Sequence, residues 1–251
     1  MPAETLSVKI RLARANGRDF SLDVAFEAPP GITILFGPSG SGKSTTLAAI
    51  AGLHAPDEGR VALGSEVWFD SQTRRDVPIH ARGLAFVFQS LALFPHLTAL
   101  GNVSYGIDRK LPLKERTQRA DEMLARMRVS HLRDRRPVTF SGGEAQRVAL
   151  ARAFAQKPRI VLLDEPFSAM DRDLRLQLAV DVRAWVDEAR LPLLHVTHHR
   201  NEARAIGDRV VLLAGGRVSA VGDVDTLLPK LDDTMPIRVS PGDQEDEPGG
   251  G

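Results

Sequence analysis

Three short segments carry residues able to act together on a phosphate group. The first reads Gly37, Pro38, Ser39, Gly40, Ser41, Gly42, Lys43, Ser44 and Thr45. This is the Walker A spacing. Small residues let successive backbone N–H groups curl round phosphate oxygens, and the helix that follows adds partial positive charge at its start. Lys43 can neutralise β/γ-phosphate charge, and the Ser44 hydroxyl can ligate Mg²⁺. The second segment, residues 160–166, reads Ile-Val-Leu-Leu-Asp-Glu-Pro and sets two carboxylates at the end of an apolar run. There Asp164 suits a Walker B aspartate that holds Mg²⁺ through its water shell. Glu165 suits a general base that polarises an attacking water. The third, Ser141-Gly142-Gly143-Glu144 followed by Gln146-Arg147, has the form of a helix N-cap with glycine neighbours. Such a helix start also offers N–H groups to a phosphate.

These residues need strands and helices behind them. Leu6, Val8, Ile10 and Leu12 alternate with polar residues, as do Phe20, Leu22, Val24 and Phe26, and Asn16-Gly17 supplies a turn between the two runs. Residues 31–36 suit a strand buried on both faces, and a helix is predicted from Lys43 to Leu53, giving strand, phosphate loop, helix. Gly59–Trp68 reads as an edge hairpin and Leu84–Phe88 as a second buried strand. From about Thr98 to Lys157 the pattern is helical, most clearly over Lys114–Met127. Strand signals return at Arg159–Leu163, Leu193–Thr197 and Val210–Leu213, and Gly215-Gly216 turns the chain into Arg217–Val221. The tail from about Met235 is rich in Pro, Gly, Asp and Glu and reads as disordered. The expected architecture is α/β: a parallel-sheet core over 1–89 and 158–235 with flanking antiparallel strands, a helical lobe at 90–157, and a tail at 236–251.

Composition narrows the field. The 251 residues are 43% hydrophobic and 26% charged, ordinary for a globular protein, and Lys+Arg 33 against Asp+Glu 32 leaves no global field toward nucleic acid. No nucleic-acid partner is therefore expected. There is no cysteine, which excludes disulfides and thiol catalysis. Met1–Arg14 has no apolar core of signal-peptide length, and no stretch approaches the roughly 18 apolar residues of a spanning helix. Work at a membrane would mean docking onto something already there.

The Ser141–Glu144 segment, lying shortly before Asp164, resembles the signature motif of ABC ATPases. Three more pieces resemble that family in order: Gln89, its Q-loop glutamine; Ser168-Ala169-Met170-Asp171, its D-loop; and His198, its switch histidine. The resemblance covers about residues 5–230 and implies a P-loop, RecA-like fold that binds ATP and Mg²⁺. It implies Glu165, His198, Gln89 and Lys43 in catalysis, with Ser44, Gln89 and Asp164 at the metal. Ser141–Glu144 would meet the γ-phosphate held by a second copy, and Asp171 would cross the interface of that ATP-sandwich dimer. His199, one step out of register, reads as an ordinary surface histidine.

Some positions depart from the pattern. Phe140 stands where the signature usually begins with Leu, and Glu144 where Gln is common; both keep the needed size. The family's adenine-stacking aromatic is missing near Arg14, so Arg14 or Phe20 is the candidate for that contact. Leu93-Phe94-Pro95-His96-Leu97-Thr98 with Gly101-Asn102-Val103 resembles the surface that faces membrane subunits in importer ATPases. Residues 31–37 and 101–106 look most like molybdate-importer ATPases, with sulfate, iron and polyamine importers close behind. The resemblance therefore implies transmembrane permease subunits, a solute-binding protein reached through the complex, and a peripheral place on the cytoplasmic face of the inner membrane. Those relatives usually add a C-terminal regulatory β-domain; residues 223–251 are too few for one, so that route is expected to be absent or lost with a truncated chain. The alternatives are a soluble ABC ATPase in metal-cluster assembly and a small-molecule P-loop kinase, which has no use for a signature or switch histidine.

Overall fold

The computed structural model describes residues 4–13, 21–167, 170 and 172–229. Among these residues eleven strands form one sheet: β1 (Leu6–Leu12), β2 (Leu22–Ala28), β3 (Gly31–Phe36), β4 (Glu58–Leu63), β5 (Glu66–Asp70), β6 (Arg75–Asp76), β7 (Leu84–Val87), β8 (Ile160–Asp164), β9 (Pro192–Val196), β10 (Arg209–Ala214) and β11 (Arg217–Asp223). Their order is β6-β5-β4-β1-β2-β11-β10-β3-β9-β8-β7. Strands β10, β3, β9, β8 and β7 are all parallel. Strands β6, β5, β4, β1 and β2 pair antiparallel. The two halves meet at β11, which pairs antiparallel with β10 and touches β2 through Arg217 opposite Asp23.

Among the described residues seven α-helices accompany the sheet: α1 (Lys43–Ala51), α2 (Ala99–Tyr105), α3 (Leu113–Arg126), α4 (Gly142–Ala155), α5 (Arg172–Ala189), α6 (Arg200–Ile206) and α7 (Val224–Leu227). The pleat divides the parallel strands between two cores. Along β8, Ile160 and Leu162 pack on one side with Leu47 and Ile50 of α1, while Val161 and Leu163 pack on the other with residues of α2 to α6. Strand β9 does the same, with Leu194 and Val196 on the α1 side and Leu193 opposite. Burial on both faces is why these strands read as continuous apolar runs.

Every parallel strand points its C-terminal end the same way, so the phosphate loop after β3, His198 after β9, Asp164 at the end of β8 and Gln89 after β7 stand along one edge in that order. Ligands of open α/β sheets bind along such an edge. Helix α1 is closed at its far end by Arg82, 1% exposed, which donates to the carbonyls of Ile50 (2.6 Å) and Val77 (2.7 Å) and pairs with Asp76. Gly52 must be glycine there: its φ is +81°, and a Cβ would lie 2.6 Å from the Arg82 guanidinium.

The predicted strands and hairpins are present with ends moved by one or two residues, and the helix predicted to Leu53 stops at Ala51. The stretch 98–157 is three α-helices with turns between them. Helices α5, α6 and α7 had no counterpart in the expected elements. The 18 residues of α5 bury Leu178, Ala179, Val182, Trp185 and Val186, but charges crowd the rest of the helix and weaken its period. The expected turn at Asn16-Gly17, the adenine contact at Arg14 or Phe20, the tail at 236–251, and Ser168, Ala169 and Asp171 lie outside the described residues. Among the described residues no helix is long and apolar enough to cross a membrane.

Candidate functional site

The phosphate loop runs from the end of β3 into α1. Gly37 passes so close to β10 that a Cβ would sit 2.1 Å from the Leu213 carbonyl oxygen. Gly42 takes the N-cap of α1 in the left-handed region, φ +99°, and no side chain caps the helix. The first N–H groups of α1 therefore stay free for an anion. Ser41 is 2% exposed, and among the described residues its hydroxyl has no hydrogen-bond partner. Lys43 is buried and donates from Nζ to the carbonyls of Gly37 (2.9 Å) and Pro38 (2.8 Å), which aims its charge along the loop. Burial lowers its pKa, and the nearby carboxylates of Glu165 and Asp164 work against that.

Ser44 and Asp164 meet across 120 residues of sequence: the Ser44 hydroxyl donates to Asp164 Oδ1 at 2.8 Å. Burial raises the Asp164 pKa; the Ser44 hydrogen bond opposes this, the Glu165 charge adds to it, and Lys43 pulls it back. Beside it, Glu165 sits in the left-handed region at φ +46°, and its N–H donates to the Val196 carbonyl at 3.1 Å. That strained turn brings Glu165 Oε1 to 3.2 Å from His198 Nδ1. Loop, hydroxyl, two carboxylates and one imidazole thus gather at one sheet edge. The donor set fits a polyphosphate: unpaired N–H groups and a buried hydroxyl for oxygens, a lysine for charge, and a hydroxyl–carboxylate pair of hard oxygen ligands for a divalent cation. Among the described residues no cluster of three His, Cys, Asp or Glu could hold a metal by itself. A metal here would need the phosphates as further ligands.

Ser141 caps α4. Its hydroxyl accepts from the Glu144 N–H at 3.3 Å, and the Glu144 carboxylate accepts from the Ser141 N–H at 2.8 Å, closing a capping box. His131 also bonds Glu144 at 2.8 Å. Together these hold the Glu144 pKa down at about 2, the His131 hydrogen bond contributing most. Phe140 packs on the core as the expected apolar anchor. Among the described residues the polar contacts of Ser141 and Glu144 stay within the cap and to His131. Gln89 is exposed past the end of β7, one strand beyond Asp164.

Sequence reasoning placed Lys43, Ser44, Asp164, Glu165 and His198 together, and the structure brings them together. His199 needs correction. It is half-buried, its ring lies 4.1 Å from that of His198, and its N–H donates to Thr197 Oγ1 at 3.1 Å as α6 begins. Burial, Arg175 and His198 lower its pKa. A missed feature lies behind this turn. Buried His195 bonds buried Glu202, and Arg175 approaches Glu202 at 3.9 Å while donating to the carbonyls of Phe167 (3.3 Å) and Met170 (2.7 Å). The available signal was a histidine inside the apolar run 192–196, which must find a partner when buried.

A phosphate loop and acidic strand end on a parallel sheet interrupted by helices define a P-loop nucleotide-site architecture of the cassette type. Residues 22–168 match the ABC transporter family, and the chain belongs to it. It is 41% identical over 217 residues to the molybdenum import ATP-binding protein ModC of Paramagnetospirillum magneticum, covering 86% of this chain and 59% of that protein. It is 43% identical over 229 residues to the protein of that name from Thiobacillus denitrificans, covering 90% and 61%. The chain thus spans about three-fifths of the length of these curated relatives. Among solved structures, the dimeric bacterial ABC transporter cassette MJ0796 superposes with TM-score 0.74 at 28% identity, covering 88% of this chain and 98% of that one. The same cassette bound to ADP and Pi in a post-hydrolysis state gives 0.75 at 29%, with the same coverage. The fold is that of these cassettes.

The Glu144 cap predicts an acid-side signature. A carboxylate whose folded pKa is depressed adds stability above its ordinary value, near 4.5, and that stability is lost as pH falls toward about 2. Denaturant titrations across this window should show a steeper loss for the parent chain than for Glu144→Gln. Equal slopes would remove Glu144 as the source.

Proposed function

We propose that the chain is the ATP-hydrolysing subunit of a membrane importer, with molybdate or a related oxyanion as the transported solute. The observation that carries the hydrolytic reading is the Ser44–Asp164 hydrogen bond at 2.8 Å, with Lys43 on one side and the Glu165–His198 pair on the other. In this reading residues 37–45 and the α1 N-terminus wrap the phosphates, and Lys43 balances β/γ charge. Mg²⁺ held by Ser44 and Asp164, with Gln89 at its water shell, would supply charge neutralisation on the phosphate oxygens. Glu165 takes the proton of the attacking water through Oε1. His198, bonded to the same carboxylate, keeps it oriented and faces the γ-phosphate.

The dimeric arrangement of the similar cassette supports a second copy as partner. The α4 N-terminus then offers Ser141, Gly142, Gly143 and Glu144 to nucleotide held by the other chain, with Asp171 crossing the interface. The division into a core (1–89 and 158–235) and a helical lobe (90–157) gives each copy one surface of each kind.

The importer reading rests on the molybdenum-import name of the similar proteins and on an aromatic patch at the lobe. Phe94 lies 4.4 Å from Tyr105, ring to ring, and Tyr105 is 51% exposed. An apolar patch of this kind suits permease subunits, which would hold the chain on the cytoplasmic face of the membrane, with a solute-binding protein reached only through the complex.

Glu165→Gln keeps the shape but removes the base. ATP affinity should stay at the parent value while phosphate release falls by at least about a hundredfold; turnover near the parent rate would contradict the assignment. Affinity purification of the full chain from its native membrane should bring down a multi-spanning subunit. Recovery of soluble partners alone would overturn the transport reading in favour of metal-cluster assembly.

A further inference from the structure

The loop joining β7 to α2 is strained. Among the described residues, Leu91 (φ +60°) and Ala92 (φ +46°) are the one place where two consecutive non-glycine residues take the left-handed conformation. Neither is asparagine or aspartate, the types that tolerate it best, and such a pair persists only where its surroundings force it. Two backbone bonds close the turn, from the Leu91 N–H to the Phe88 carbonyl (2.9 Å) and from the Ala92 N–H to the Ser90 carbonyl (2.7 Å), and one side chain from another element braces it. Arg152, in the last turn of α4, donates from Nη1 to the Ala92 carbonyl at 2.7 Å and from Nη2 to the Leu91 carbonyl at 2.8 Å. Its guanidinium also lies over the Phe94 ring, 5.6 Å from the centroid.

Arg152 makes an expensive clamp. Among the described residues it forms no ion pair with a carboxylate, and burial alone depresses its pKa. A partly desolvated cation held only by carbonyls and a ring adds less to stability than a paired one. What it does hold is informative. Leu91 and Ala92 directly follow Gln89 and Ser90, and Phe94 belongs to the aromatic patch. Asn102 of α2, fully buried, fastens the other end of the loop: it accepts from the Phe94 N–H at 2.8 Å and donates to the carbonyls of Phe94 (3.1 Å) and Thr98 (3.0 Å). The same helix that carries Arg152 begins at the Ser141 cap, about 16 Å away at the α-helical rise.

We infer that Arg152 is a positioning residue: by clamping the left-handed Leu91–Ala92 turn it sets where Gln89 stands, and it ties that position to the helix that begins at Ser141. The inference rests on the proposed nucleotide site and on Gln89 acting there. Arg152 itself touches no nucleotide. A guanidinium fork suits the task because two parallel N–H donors hold two adjacent carbonyls at once, whereas lysine offers a single point of attachment.

The test is a double-mutant cycle on the full chain, with Arg152→Met, Arg152→Lys, Gln89→Ala and Arg152→Met/Gln89→Ala, reading ATPase kcat, equilibrium ATP affinity and melting temperature. Arg152→Met should lower kcat by about tenfold or more with ATP affinity unchanged, and Arg152→Lys should recover part of the loss. The double variant should be no slower than Gln89→Ala alone, because both changes remove one function. Losses in kcat that multiply would overturn the inference while leaving Gln89 in the site. A change confined to melting temperature or ATP affinity, present equally in Arg152→Lys, would reduce Arg152 to a packing element. Parent-like turnover in Gln89→Ala would instead overturn the role of Gln89 in the proposed site, and the inference with it.

Discussion

Ser44 and Asp164 can bond at 2.8 Å only if the start of α1 reaches over the intervening strand β9 to the end of β8. Much of the architecture serves that reach. Leu47 and Ile50 of α1 pack into one core with Leu162 of β8 and Leu194 and Val196 of β9, which fixes how the helix lies on the sheet. Arg82 closes its far end, so the helix cannot slide toward the sheet edge without breaking buried hydrogen bonds. At the near end the arrangement carries electrostatic tension. Burial lowers the Lys43 pKa and raises that of Asp164, and each is partly relieved by the other's charge. A site that holds opposed charges in place before its ligand arrives has little left to reorganise when it does.

Among the described non-glycine residues, left-handed backbone sorts into three groups; the first is Arg74 alone, in the hairpin turn between β5 and β6. Arg128, Lys157 and Arg190 take left-handed φ just after α3, α4 and α5, where a helix commonly ends on such a residue and a cation sits favourably beside the last carbonyls. Glu165, Leu91 and Ala92 have neither a helix end nor a hairpin turn to explain them. Glu165 follows the strand that carries Asp164, and the other two follow Gln89. The strain without a secondary-structure cause therefore lies along the same sheet edge, and in both cases hydrogen bonds hold it: the Val196 carbonyl for Glu165, and the Phe88 and Ser90 carbonyls together with the Arg152 guanidinium for the Leu91–Ala92 turn.

The strands and the phosphate loop were legible in the sequence because both depend on local pattern. Apolar runs of strand length read correctly for β3, β8 and β9, and the loop needed its glycines for reasons visible in the residue types alone. Helix α5 was not legible, since its buried face is diluted by arginines and aspartates whose partners, such as Asp181 with Arg128 and Arg147, come from other elements. His199 looked exposed because its burial depends on the turn into α6 and on the His198 ring. The Arg175–Glu202–His195 network and the Arg152 clamp are long-range: no spacing rule links residue 152 to carbonyls some 60 positions earlier. What remained out of reach were contacts defined by packing rather than by period.

The N-terminus of α4 raises the remaining question, because the polar bonds of Ser141 and Glu144 stay inside their own cap and its neighbour His131. If this helix start serves a nucleotide, the nucleotide sits on another copy, and assembly and binding become one equilibrium. The solution mass of the full-length Glu165→Gln chain, measured by light scattering with and without saturating Mg²⁺-ATP, tests this most directly. A shared site predicts a monomer without nucleotide and a dimer with it. A dimer that forms equally well without ATP, or a monomer that persists in saturating ATP, would contradict it.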